Sequence, residues 1–239
     1  MRRIMTLSRI AWPMFALLPV HVAAQAPATE TSEVHAQIQL PAALRKDHLP
    51  AAVVWLDAED KSSVVHSMAP GHFTLLQKNR MFSPHLLVIP TGSVVSFPNA
   101  DPFFHNVFSF FNGKRFDLGL YEAGTSKEVV FSREGVSYIF CNIHPEMSAV
   151  VLALATPLYG VADASEKVTI HDVPPGGYYL HVWVEGFMQP ALDRMTRRVE
   201  IRHGAANNLV LDATGAPRQP AQHLNKFGRP YDRDTRPPY

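Results

Sequence analysis

The chain of 239 residues holds a single cysteine. An internal disulfide is therefore excluded, and stability has to come from a packed core, hydrogen bonds or a bound metal. Charge is sparse as well. Asp, Glu, Lys and Arg make up 18 % of the residues and the formal net charge is +1, which gives no electrostatic reason to expect a nucleic-acid partner. Long uninterrupted apolar runs are missing beyond the first two dozen residues, so neither a membrane-spanning helix nor stable membrane insertion is expected. Sustained helical periodicity is missing too. Only the stretch Phe187–Arg194 hints at it, and that stretch reads equally well as a loop.

What is present begins with Arg2, Arg3 and Arg9. An apolar stretch from Ile10 to Val20 follows, interrupted by Pro13 and Pro19, and then the small residues Val22-Ala23-Ala24. This pattern reads as an export leader over 1–24, cleaved after Ala24, and predicts a periplasmic or secreted protein. Its removal leaves 19 basic against 21 acidic residues, a formal charge of −2. In an oxidising compartment an unpaired thiol is a liability unless it is buried or bound to metal.

The body of the chain reads as all-β. Short runs rich in Val, Ile, Phe and Tyr recur between Gly, Pro, Asn and Asp, among them 52–56, 86–89, 94–97, 106–110, 128–131, 136–141 and 149–154. Alternation continues further on at Val168 and Ile170, at Tyr178, Leu180, Val182 and Val184, and at Leu209 and Leu211, with a turn at Pro174-Pro175-Gly176-Gly177. Five segments follow: the leader 1–24, a linker with N-terminal strands over 25–66, a sandwich over 67–156, a small antiparallel sandwich over 157–213, and a tail over 214–239. Strands within 34–66 fit either sandwich. From Gly215 onward there are five Pro, five Lys or Arg and almost no aliphatics, which predicts a disordered basic tail.

The chemistry concentrates in Cys141-Asn142-Ile143-His144-Pro145-Glu146-Met147 and, upstream, in Phe103-Phe104-His105-Asn106-Val107. One thiolate, two imidazoles and one thioether suit both oxidation states of copper, the soft sulfurs favouring Cu(I) and the imidazoles Cu(II). If Cys141 ends one strand and the next begins near Ala149, then Cys141, His144 and Met147 share one tight loop. His105 closes the site from a separate strand. Met147 fits either as a weak axial ligand or as plain packing. His85, where a strand enters the same sandwich, reads as structural.

These residues carry a resemblance. From about Phe73 to Ala155 the chain is similar to the plastocyanin-like cupredoxins, and the ligand loop, with Pro145 directly after His144, looks most like that of amicyanin. The run Ser96-Phe97-Pro98-Asn99-Ala100-Asp101 before His105-Asn106-Val107 belongs to the same likeness. It implies a Greek-key cupredoxin sandwich with one type 1 copper held by His105, Cys141, His144 and Met147. It also implies that the amide of Asn106 ties the two ligand loops together. Residues Tyr159–Asp212 resemble the transthyretin-like or carboxypeptidase-regulatory-like sandwiches, which implies binding or scaffolding, and the whole is similar to methylamine-utilisation-like cupredoxin proteins.

The expected function is a single-electron carrier between redox protein partners, not an enzyme. Oxygen or nitrite chemistry calls for a second copper site, and the chain has no His-x-His or His-Cys-His run to build one. Partners would dock transiently at the edge of the His144 ring, on an apolar surface from Pro102, Phe103, Pro145 and Ala149. The alternative is a copper-binding, storage or adhesion protein using the fold as scaffold. Composition leaves the oligomeric state open.

Overall fold

The computed structural model describes residues 31–45, 49–60, 68–110, 113–218 and 223–231. The expected leader lies outside them. Strands β1 (Ser32–Gln39) and β2 (Ala52–Ala58) come first, separated by a 3-10 turn at Ala42–Arg45. The middle of the chain supplies β3 (His72–Thr74), β4 (Leu76–Lys78), β5 (Met81–Ser83), β6 (Leu86–Pro90) and β7 (Val94–Pro98). It continues through β8 (His105–Ser109), β9 (Phe116–Tyr121), β10 (Ser126–Val130), β11 (Gly135–Cys141) and β12 (Ser148–Leu154). The remainder forms β13 (Tyr159–Val161), β14 (Lys167–Val173), β15 (Gly176–Val184), the short helix α1 (Gln189–Asp193), β16 (Arg197–Ile201) and β17 (Asn207–Asp212). Among the described residues no helix is long and apolar enough to cross a membrane.

The strands pair into two sandwiches. In the first, the sheet β6-β12-β11-β8-β9 faces β10-β7-β3 across a core containing Phe97, Val107, Phe131, Ile139 and Val151. In the second, β14-β1-β17 lies against β13-β2-β15-β16. The position left open by the sequence is thus decided by pairing: β1 and β2 both join C-terminal strands. The β1–β17 pair is parallel and β1–β14 antiparallel, so that sheet is mixed. The weak helical signal becomes α1, with Pro190 in its first turn, where a missing N–H costs nothing.

Strand β12 joins the two halves. Successive side chains point to opposite faces, and here both faces are buried. Ala149, Val151 and Ala153 enter the first core, while Val150, Leu152 and Leu154 enter the second. The near-continuous apolar run at this position follows from that two-sided burial. The Trp183 indole N–H donates to the Tyr138 hydroxyl at 3.2 Å across the same junction. The His85 ring, held by the Ser148 carbonyl at 3.2 Å, reaches Glu185 at 2.6 Å.

Two predictions follow from this packing. A Cβ on Gly160 of β13 would meet the Thr169 carbonyl oxygen of β14 at 2.4 Å, so Gly160→Ala should cost about 1–3 kcal/mol by overpacking, read as a lowered denaturation midpoint. His85 is held above its ordinary value of 6.5, chiefly by its hydrogen bond to Glu185, with burial opposing. A raised folded-state value stabilises below pH 6.5 and the contribution is lost as pH rises through it. Glu185→Gln should therefore destabilise the protein more at acid than at alkaline pH. The pair is half exposed, so the difference should be on the order of 0.5 kcal/mol in paired denaturation curves.

Candidate metal centre

The site sits at one end of the first sandwich, and strand register puts it there. Cys141 of β11 pairs with Val107 of β8, so its thiol lies on the same inward face as Val107. His105, two residues before Val107, points inward as well. The chain then turns through 142–147 and re-enters the sheet as β12. Backbone bonds close this loop: the Cys141 N–H donates to the Met147 carbonyl at 3.3 Å and the Met147 N–H to the His144 carbonyl at 3.1 Å. That turn folds His144 back over the thiol.

Three donor atoms converge as a result. The Cys141 Sγ is 3.6 Å from Nδ1 of His105 and 3.6 Å from Nδ1 of His144, and the two Nδ1 atoms are 3.2 Å apart. Among the described residues this is the one His, Cys, Asp or Glu group whose ligand atoms cluster tightly enough to hold a metal ion. With bonds of about 2.0–2.3 Å from nitrogen and sulfur to a d-block ion, donors around one ion stand about 3.3–3.8 Å apart. The spacing fits a single ion. Met147 is fully buried in the same core as Cys141.

The orientation of His105 is set by Asp101. Its carboxylate accepts from Nε2 of His105 at 3.0 Å, which fixes the proton there and turns a bare Nδ1 lone pair toward the thiol. Asp101 also accepts the backbone N–H groups of Asn79 at 2.6 Å and Arg80 at 3.0 Å. Those two residues form the β4–β5 hairpin turn with φ of 57° and 55°, unfavourable for side chains other than glycine. The same carboxylate thus stabilises a strained turn and orients the His105 ring. The Asn99 amide donates to the Phe103 carbonyl at 2.8 Å, and the Phe103 ring lies 5.4 Å from both imidazoles, as a lid.

Asn106 bridges the 103–107 and 141–147 segments through its backbone. Its N–H acts on the Cys141 sulfur and its carbonyl accepts the Asn142 N–H at 2.9 Å, while its side-chain amide donates to Asp117 of β9 at 2.7 Å. The expected docking surface changes. Ala149 is buried in the core, and His144 is only 4 % exposed, leaving little of its ring to solvent. Pro102 and Pro145 are exposed and Phe103 half-buried. His85 makes its contacts to Ser148 and Glu185, outside the donor cluster.

Sequence reasoning missed several residues here. Asp101 stood in the quoted run without a role, although an acid four residues before a ligand His is a recoverable signal. His223, Lys226 and Tyr231 were hidden by the composition of the tail. Residues 223–231, expected to be disordered, instead lie against the loop. His223 Nε2 bonds the Pro145 carbonyl at 2.8 Å, and the Tyr231 hydroxyl donates to the Cys141 carbonyl at 2.8 Å.

Burial lowers the affinity of both imidazoles for protons, and the mutual repulsion of their charged forms holds His144 down further. Burial raises the Cys141 thiol, although the N–H groups of Asn106, Ile143 and His144 oppose it. At neutral pH the metal-free site is therefore two neutral imidazoles and a thiol, and binding has to expel the thiol proton. Zn(II), a redox-silent probe, should bind the metal-free protein about tenfold more tightly per pH unit from about pH 6.5 to 8, with one proton released. Calorimetry in buffers of different ionisation enthalpy measures that proton; a pH-independent affinity would contradict a thiolate ligand.

No family model and no curated protein matches the chain. Among solved structures it is similar to a purple cupredoxin from Nitrosopumilus maritimus, at 30 % identity over 34 % of this chain and 98 % of that one, with a TM-score of 0.31. A copper-containing nitrite reductase from Thermus scotoductus SA-01 is 21 % identical over 50 % of this chain, with a TM-score of 0.34. The chain spans 28 % of that enzyme. An oxidised amicyanin variant is 15 % identical over 34 % of this chain and 81 % of its own, with a TM-score of 0.33. The fold is all-β, with the donor cluster at one end of the first of two sandwiches.

Proposed function

We propose that this protein is an exported type 1 copper protein that carries single electrons between redox partner proteins. The observation that carries the reading is the buried convergence of the His105, Cys141 and His144 donor atoms within 3.6 Å of one another. One thiolate and two imidazoles suit copper in both oxidation states. Copper, when bound, supplies one reversible electron.

The residues of the chain do the rest. Asp101 holds the His105 proton at Nε2, so that Nδ1 is free to ligate. Burial holds the Cys141 thiol up, and the N–H groups of Asn106, Ile143 and His144 offset part of that, easing loss of its proton to a metal. Phe103 packs over both rings, while Met147, buried in the same core as Cys141, would supply a thioether as a fourth, weaker ligand. A donor set held this firmly by strand pairing and loop hydrogen bonds needs little rearrangement when charge changes, which favours rapid transfer over substrate chemistry. With Met147 as a fourth ligand, copper held by these residues would have no open position for substrate, which favours a carrier over an enzyme.

Partners dock weakly, in the manner of redox encounters, over exposed Pro102 and the Phe103 lid, which covers His144. An export leader over 1–24, as the sequence pattern suggests, would send the protein to the periplasm or outside the cell, and the second sandwich would serve as scaffold.

Purified protein loaded with Cu(II) should take up one copper per chain and show an intense visible thiolate-to-copper band. The band should bleach with ascorbate and return with ferricyanide. Cys141→Ser should abolish it while leaving the fold intact by circular dichroism. A colourless loaded protein would overturn the carrier reading, and several coppers per chain would favour storage.

A further inference from the structure

The segment 223–231 reaches the metal loop by four routes. His223 stacks on Phe140, ring centroids 3.9 Å apart and planes at 20°. Its Nε2 donates to the Pro145 carbonyl. The Lys226 N–H donates to the Asn142 side-chain oxygen at 3.0 Å. Tyr231 donates its hydroxyl proton to the Cys141 carbonyl. The anchor points, residues 141, 142 and 145, bracket His144 on both sides.

A fifth contact extends to the other ligand strand. The Lys226 ammonium pairs with Asp117 at 3.0 Å, and the other oxygen of Asp117 accepts from the Asn106 amide. Asn106 is the neighbour of His105. One short stretch of chain therefore braces both segments that supply the donor atoms, and it does so from the outer face, where Phe140 points. The segment contains its own turn, with the Gly228 N–H donating to the Asn225 carbonyl at 2.9 Å and the Asn225 side chain accepting from Phe227 and Arg229. The turn brings His223 and Tyr231 together, ring centroids 5.2 Å apart.

A loop that carries three of four ligands gains rigidity only from what it touches. Inward, it has the core. Outward, the Cys141 carbonyl, the Asn142 side chain and the Pro145 carbonyl would face water, and all three are satisfied by the tail. Such bonds are modest one by one, but together they cost the loop its alternative conformations, which is how a site is held ready for its ligand.

We propose that residues 223–231 form a clasp that holds the 141–147 loop in its metal-binding geometry, with His223, Lys226 and Tyr231 as positioning residues. The inference rests on the copper reading for its functional meaning, but not for its first test. In the full metal-free chain, the triple variant His223→Ala, Lys226→Gln, Tyr231→Phe should speed amide hydrogen exchange at Asn142 and Met147 at least tenfold. Exchange at Val95 and Val151, deep in the same sandwich, should stay unchanged. Release of Cu(I) to a chelator should quicken at least tenfold in the same variant. The single variant Tyr231→Phe, which keeps the ring and removes one donor, should move both readouts in the same direction by a smaller factor. Leu224→Ser, an exposed change in the same segment, should move neither.

Unchanged loop exchange and unchanged metal release in the triple variant would overturn the clasp. Acceleration throughout the sandwich would overturn it as well, since the tail would then be general packing. If the parent chain shows no thiolate-to-copper band, the copper reading fails, and the exchange data still decide whether the clasp exists.

Discussion

The burial of strand β12 on both faces is the constraint on which the other features depend. Its odd-numbered residues complete the core beneath the donor cluster and its even-numbered residues complete the core of the second sandwich. Because β12 begins directly after Met147, fixing that strand also fixes one end of the ligand loop. The other end is fixed at Cys141 by pairing with β8 and β12. The loop is short, its two ends are clamped, and few conformations remain to it. Placement of the donor atoms is therefore largely a by-product of sheet packing.

What sheet packing does not settle is which way each ring turns, and polar contacts decide that. Asp101 selects the tautomer of His105 while holding a hairpin turn two strands away. A carboxylate with three donors around it stays ionised despite its burial. The net effect is that a negative group lies behind His105, close enough to raise the basicity of its ring. Asp117 behind Asn106 plays a comparable part on the neighbouring strand, there paired with Lys226.

Much of this was legible in the sequence, for reasons that can be named. Period-two alternation and turn residues marked most of the strands, and the loop beginning at Cys141 was legible because a chain with one cysteine concentrates its thiol chemistry at one place. Other features were not local. The partners of β1 and β2 lie more than a hundred residues away, and alternation carries no address. Short β3, β4 and β5 give too few residues for a pattern. The tail misled because composition reports average burial, whereas His223, Lys226 and Tyr231 act through a few directed hydrogen bonds. At Asn106 residue identity does not tell which polar groups act, since it does not separate a side-chain amide from the backbone N–H and carbonyl.

The second sandwich is discontinuous in sequence. Its β1 and β2 precede the first sandwich and its remaining strands follow it, with β1 held between β14 and β17. A nascent chain can pair strands β3 to β12 among themselves while β1 and β2 still wait for partners not yet made. During that interval the sheet face bearing Val150, Leu152, Leu154, Leu86 and Val88 has nothing to cover it. The order of synthesis thus exposes an apolar surface that only the last-made third of the chain can shield. Closure of the whole depends on contacts of very long sequence separation, the kind that form slowly.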